Sequence, residues 1–184
     1  MPQILLILSL ISFILFLAPG DLKKYFAAFG WLFLAVSFFG TTIGYLAESE
    51  FVYPFIAVLS VPMFYITIKY SLLKDKIAFQ ITSVASIAFI IYSFVAFIHP
   101  LSDWLIASLV ENTVFALTAI GHPATVSAWN TILSNGYSII ITVSCTPVVG
   151  IAVMIGLATG IGGNGRQKLI ASLFAVISLI ALNI

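Results

Sequence analysis

Long apolar stretches alternate with short polar breaks along this chain, and that rhythm predicts its elements. Predominantly apolar runs fall at roughly 3–19, 27–47, 52–72, 78–98, 137–160 and 168–184. Each reads as a helix able to cross a hydrocarbon core of about 30 Å. The breaks are Gly20-Asp21-Leu22-Lys23-Lys24, Glu48-Ser49-Glu50, Lys74-Asp75-Lys76, a longer segment over 100–136, and 160–168. The pattern predicts an all-α polytopic membrane protein of about six transmembrane helices, with residues 1–184 forming one integral membrane domain. The first run is expected to stay as a helix and not to be removed as a signal peptide. No Lys or Arg precedes Lys23, and Leu17-Ala18-Pro19-Gly20 is a poor cleavage site.

The segment over 100–136 departs from this rhythm. Leu101, Trp104, Leu105, Leu109, Val110, Val114, Phe115 and Leu117 recur at helical spacing, but Asp103, Ser108, Glu111, Asn112 and Thr113 interrupt them. An interfacial helix over 101–120 is predicted, because two carboxylates at mid-bilayer would be costly. Trp104 and Trp129 suit the headgroup level. Further on, runs over 124–133 and 137–143 carry β-branched residues and flank Ser134-Asn135-Gly136, which predicts a small β-hairpin. A strand edge cannot face lipid, so the hairpin belongs in the outer aqueous layer or against helices. With 137–143 extended, the next helix starts near Thr146-Pro147, Thr as N-cap and Pro as first helical residue, and ends near Gly160. Cys145 then stands just before a helix N-terminus. Unpaired amides and the helix dipole favour an anion there, which suits a thiolate.

Composition decides the solvent. The chain is 62% hydrophobic and 7% charged, with a mean hydropathy of +1.22, whereas a soluble domain has roughly a quarter of its residues charged. Seven basic and six acidic side chains cannot keep a 19.9 kDa globule in water, so lipid must solvate most of this surface. A net charge of +1 says nothing about partners. The chain has no basic run of the kind that neutralises nucleic-acid phosphates, so no nucleic-acid partner is expected. One cysteine cannot make an internal disulfide. Orientation follows from where the charges fall. Under a six-span count Lys23, Lys24, Lys69, Lys74, Lys76, Arg166 and Lys168 all lie on one side, and Glu48, Glu50, Asp103 and Glu111 on the other. The positive-inside rule then puts the N-terminus, the segment over 100–136 and Cys145 outside.

Candidate chemistry centres on Cys145. A lone cysteine in an apolar segment is more often a small hydrophobe than a nucleophile. The helix start and the polar neighbours Ser144 and Thr146 favour the functional role. His99 and His122 each precede a proline in the outer segment and could act as base or metal ligand. No spacing of His, Cys, Asp and Glu matches a metal site, so neither metal nor cofactor is expected. The outer acids read as solvated faces, with no acid–base pair singled out among them. Gly160-Ile161-Gly162-Gly163-Asn164-Gly165 lacks the Lys-Ser/Thr and the preceding strand of a phosphate loop, and reads as a turn. Gly156 and Gly160 form one small-xxx-small pair suited to close helix packing. A serine nucleophile elbow, a His-Glu-x-x-His and an intramembrane Asp pair are all missing from the sequence, which weighs against serine, metallo and aspartyl intramembrane proteases.

The stretch over 137–150, a hydrophobic approach into Ser144-Cys145-Thr146, resembles the active-site segment of the exosortase/archaeosortase superfamily. Gly30-Trp31 opening the second span, the Lys74-Asp75-Lys76 loop and the outer helix from Leu101 into Gly121 fall where that family has comparable features. The family motif continues with Gly after Cys-Thr or Cys-Ser; here Pro147 stands in that place and Gly150 follows a turn later. The resemblance implies a multi-pass cell-membrane cysteine transpeptidase with its active site facing the exterior and Cys145 as nucleophile. Its partners would be secreted surface proteins with a C-terminal sorting signal of the Pro-Gly-Phe type, and a membrane lipid that accepts the new C-terminus. The family also carries Arg in a downstream Asn-x-x-Arg motif. Asn183-Ile184 matches its opening and the chain stops there, so the expectation is a C-terminally incomplete chain, inactive alone for want of the downstream Arg residues. Arg166 and Lys168 are expected on the opposite membrane side from Cys145. The alternative is a small non-enzymatic membrane transporter or scaffold subunit in which Cys145 only packs. Transporters typically show internal repeats and midplane polar residues; no repeat is evident, and the one charge near a span interior is Lys69, placed to snorkel.

Overall fold

A computed structural model describes residues 2–47, 51–161 and 164–182; the acids Glu48 and Glu50, Gly162-Gly163 and Asn183-Ile184 lie outside the described residues. The apolar runs and the outer segment give the helices α1 Pro2–Leu17, α2 Lys23–Ala47, α3 Val52–Leu72, α4 Lys76–Phe97, α5 His99–Ala119, α6 Val148–Gly160 and α7 Gly165–Leu182, the run over 137–160 being helical only from Val148 on. Between α5 and α6 lie β1 Ala124–Ala128, β2 Thr131–Ser134, β3 Tyr137–Ile140 and a 3-10 turn, Val143–Cys145. Three helical stretches are long and apolar enough to cross a membrane: Lys23–Tyr45, Val52–Leu72 and Lys76–Phe97. They leave Phe29, Phe55, Val58, Leu59 and Phe94 exposed, a surface that lipid and not water solvates. α6 is apolar too, but its 13 residues rise only about 20 Å, short of a full hydrocarbon core.

The chain divides within α4 into two compact units, Met1–Ser86 and Ile87–Ile184. In the first, α1 crosses α2 at Gly30. The Phe13 ring lies against the bare Cα of Gly30, where an added Cβ would come within 2.6 Å of two ring carbons. Ser9 donates a hydrogen bond to the Gly30 carbonyl at 2.8 Å. Small residues let the two backbones approach, and in lipid that close packing is what holds helices together. Around the crossing, Trp31 stands edge-on to both Phe13 and Phe64. Its indole N–H donates to Thr82 Oγ1 at 2.9 Å. Each buried polar side chain described in the protein is Ser or Thr. Several, including Ser12, Thr67, Thr82 and Ser86, return their hydroxyl to a carbonyl four residues back in their own helix. Hydroxyls can do this without water, which is why they are tolerated inside an apolar bundle.

In the second unit the predicted hairpin forms and gains a strand. β2 and β3 pair antiparallel with Ser134 opposite Tyr137, leaving Asn135 and Gly136 as a two-residue loop. Both have positive φ, 50° and 82°, the requirement of a type I′ turn. The run over 124–133, read from sequence as one strand, is two. It reverses at Trp129-Asn130, and β1 pairs with β2 in a three-stranded sheet of order β1-β2-β3. The other strand run stops at Ile140 instead of reaching residue 143. The sheet packs on α5 through a core of Ile106, Val110, Ile132 and Ile141, extended by Leu109, Val114, Leu117, Ala124 and Val143. Of the positions read at helical spacing in the outer segment, Leu109, Val110, Val114 and Leu117 meet the sheet, whereas Trp104 and Phe115 are exposed and Ile106, absent from that reading, joins the core. α5 ends in a Schellman motif: Gly121, at φ 85°, donates to the Thr118 carbonyl and the His122 amide to that of Leu117.

Candidate functional site around Cys145

Ile141 and Val143 are anchored in the core on α5, so the chain leaving β3 is fixed before it reaches Cys145. Ile141 N–H also bonds the Asn130 carbonyl at 2.8 Å, continuing the ladder one step beyond β3. The backbone then tightens: Cys145 N–H donates to the Thr142 carbonyl at 2.9 Å and Thr146 N–H to that of Val143 at 3.0 Å. Cys145 sits at the end of this turn with its thiol exposed. Thr142 Oγ1 lies 3.7 Å from the Cys145 Sγ. Thr142 was not singled out from sequence. A Thr three residues before a Cys is a weak pattern, and only the 3-10 turn brings the two side chains together.

The helix start differs from expectation. Thr146 does not cap α6: its hydroxyl turns back to the Val143 carbonyl at 2.6 Å, closing the preceding turn. Pro147 is the capping position, without a side-chain bond, and Val148 opens the helix. Competition from the local turn wins because Thr hydroxyls readily bond backbone three residues away. The consequence for anion binding is specific. The amides of Cys145 and Thr146 are used in the turn and Pro147 has none. The first helical bond is donated by Ile151 to the Pro147 carbonyl, so among the described residues the amides of Val148, Val149 and Gly150 stay open. These three, and not the amides of Cys145 and Thr146, are the helix-start donors left without a backbone partner. Gly150 also admits α7, whose Leu179 methyls would stand 3.4 and 3.5 Å from an added Cβ.

The other candidates stay apart from the thiol. His99 opens α5 and His122 follows its end; both are exposed. Asp103 and Glu111 lie on the solvated side of α5. Among the described residues none of these four bonds Cys145, and no group of three His, Cys, Asp or Glu side chains is placed to hold a metal ion. Arg166 and Lys168 start α7, at the end of α6 remote from Cys145 and about 20 Å of helix away. Lys168 Nζ caps α6 there by donating to the Thr159 carbonyl at 2.8 Å. Trp104 and Trp129 are 65% and 54% exposed, as side chains that meet a surrounding phase. Comparison with family models, with curated proteins and with solved structures gives no match for this chain.

Proposed function

We propose that this protein is a membrane-embedded cysteine transpeptidase of the archaeosortase type. It cleaves the C-terminal sorting signal of secreted surface proteins and passes the new C-terminus to a membrane lipid. The observation that carries this reading is an exposed thiol on a fixed tight turn, three residues ahead of a run of open helix amides. It lies within the Ser144-Cys145-Thr146 segment that resembles the family's active site. In that chemistry the Cys145 thiolate attacks the peptide carbonyl, the tail leaves as an amine that takes up a proton, and a thioester remains. A nucleophilic lipid headgroup then displaces the thiol. Two demands of the first step find support here, namely access to the sulfur and donors for the oxyanion.

The topology that goes with this function has about six spans with the N-terminus and Cys145 outside. The segregation of all seven bases from Glu48, Glu50, Asp103 and Glu111 along the sequence supports it. The test is made in cells that produce the protein at its natural full length, with cleavage by the unaltered protein as the reference, together with a secreted protein ending in a Pro-Gly-Phe signal, a transmembrane helix and a basic tail. With Cys145→Ala the substrate is expected to accumulate with its tail intact, and the lipid-linked form to vanish. A transporter or scaffold subunit predicts no change in substrate length, and that result would overturn the enzyme.

A further inference from the structure

Five of the seven basic residues lie in or beside two turns that are distant in sequence. Lys23 and Lys24 follow α1; Lys69, Lys74 and Lys76 surround the junction of α3 and α4. Phe16, near the end of α1, and Phe79, near the start of α4, meet edge-on with centroids 5.6 Å apart. That contact gathers both turns at one end of the first unit. Two carboxylates share it. Asp75 is committed: its Oδ1 accepts the amides of Ile77 and Ala78 at 2.9 and 3.0 Å and so caps α4. Among the described residues that leaves Asp21 as the one uncommitted carboxylate of the two turns, against five lysines. Among the described residues no lysine forms an ion pair, and Lys24 and Lys69 instead lie over the rings of Tyr25 and Tyr65.

The positions of these lysines deepen the imbalance. Lys23 and Lys24 open α2 and Lys76 opens α4, where the positive end of the helix dipole disfavours a cation. Charge of one sign is concentrated against local preference, and an anion from outside the chain would relieve it. Beside each turn is a cavity with apolar walls and a polar rim. One, of about 280 Å³, is bounded by Leu15, Leu22 and Phe26 with Asp21 and Lys23. The other, of about 240 Å³, is bounded by Ile66, Ile77 and Ile81 with Thr67, Tyr70 and Asp75, the carboxylate already bonded to the first amides of α4. Charged heads beside apolar slots match an amphiphile with an anionic head.

We infer that this end of the first unit is a binding site for anionic membrane lipids. The headgroup phosphate lies among Lys23, Lys24, Lys74 and Lys76, and the acyl chains lie along the two apolar slots. The site owes nothing to Cys145 and stands or falls separately from the transpeptidase reading.

Native mass spectrometry of the full chain tests it, after release from bilayers of equal phosphatidylglycerol and phosphatidylcholine. Retained adducts are expected to be mostly phosphatidylglycerol. Each lysine near a charged surface contributes roughly a fivefold preference, so K74Q/K76Q is expected to lower selectivity at least tenfold and K23Q/K24Q/K74Q/K76Q to abolish it. Arginine at the same four positions is expected to keep it, as is R166Q/K168Q at the remote end of α6. Equal retention of the two lipids by the unaltered chain would overturn the inference whether or not the variants fold. Displacement of phosphatidylglycerol by inorganic phosphate at matched concentration would overturn it too, since free anion would then suffice.

Discussion

A buried indole shows what lipid demands of a single residue. Trp31 is 6% exposed, its N–H has no water to turn to, and its acceptor is Thr82 Oγ1, 51 residues away. Thr82 serves twice, since its hydroxyl also donates to the Ala78 carbonyl. Thr82→Val keeps the shape but orphans the indole, and is expected to cost about 1–3 kcal/mol. The measurement is a lowered midpoint of thermal unfolding in detergent, with Thr82→Ser retaining most of the stability. Cys145 makes the complementary case: its surroundings are local, a turn closed by Thr142, Val143 and Thr146, and the nucleophilic role proposed for it requires the exposure it has.

Between elements, fit is decided by what is absent as much as by what is present. At Gly30 the missing Cβ makes room for Phe13, whose ring is fully buried and has nowhere to swing. Gly30→Ala is expected to push α1 off α2 and lose about 1–3 kcal/mol, as overpacking does. Adding Phe13→Leu to that variant should recover part of the loss. A double-mutant cycle of unfolding midpoints reads this, and simple additivity would refute the coupling. The hairpin loop gives a different test. Nothing lies within 4 Å of a Cβ built at Gly136, yet its φ is 82°, so Gly136→Ala should lose about 1–2 kcal/mol through backbone conformation alone. Because β3 leads straight into the anchored residues before Cys145, alkylation of the thiol by a maleimide should change in rate in the same variant.

For the molecule as a whole, lipid replaces water as the solvent, and this is where sequence is most informative. Composition alone requires an apolar surrounding phase, and most of the apolar runs predicted helices to within a few residues because burial in lipid depends on local hydropathy, not on partners; the run over 137–160 instead opens as β3, and its helix covers only Val148–Gly160. The Asn135-Gly136 turn was legible for the same reason: its φ requirement is met by those two residues themselves. Other features needed neighbours that are remote in the chain. Nothing in the run over 124–133 fixes where it reverses, since β1 gains its ladder only by pairing with β2. Thr146 and Pro147 have the right chemistry for a helix start, yet the turn at Val143 claims the Thr146 hydroxyl. From its sequence, then, the chain's residence in lipid, its helices, its hairpin and its single thiol could be read, since each follows from residues acting alone or beside near neighbours. Tertiary structure decided that Phe13 fills the notch at Gly30, that Trp31 finds Thr82, which amides near Cys145 remain open, and that two lysine-bearing turns come to one end of the first unit. Those outcomes depend on the packing of segments far apart in the chain, about which local hydropathy is silent.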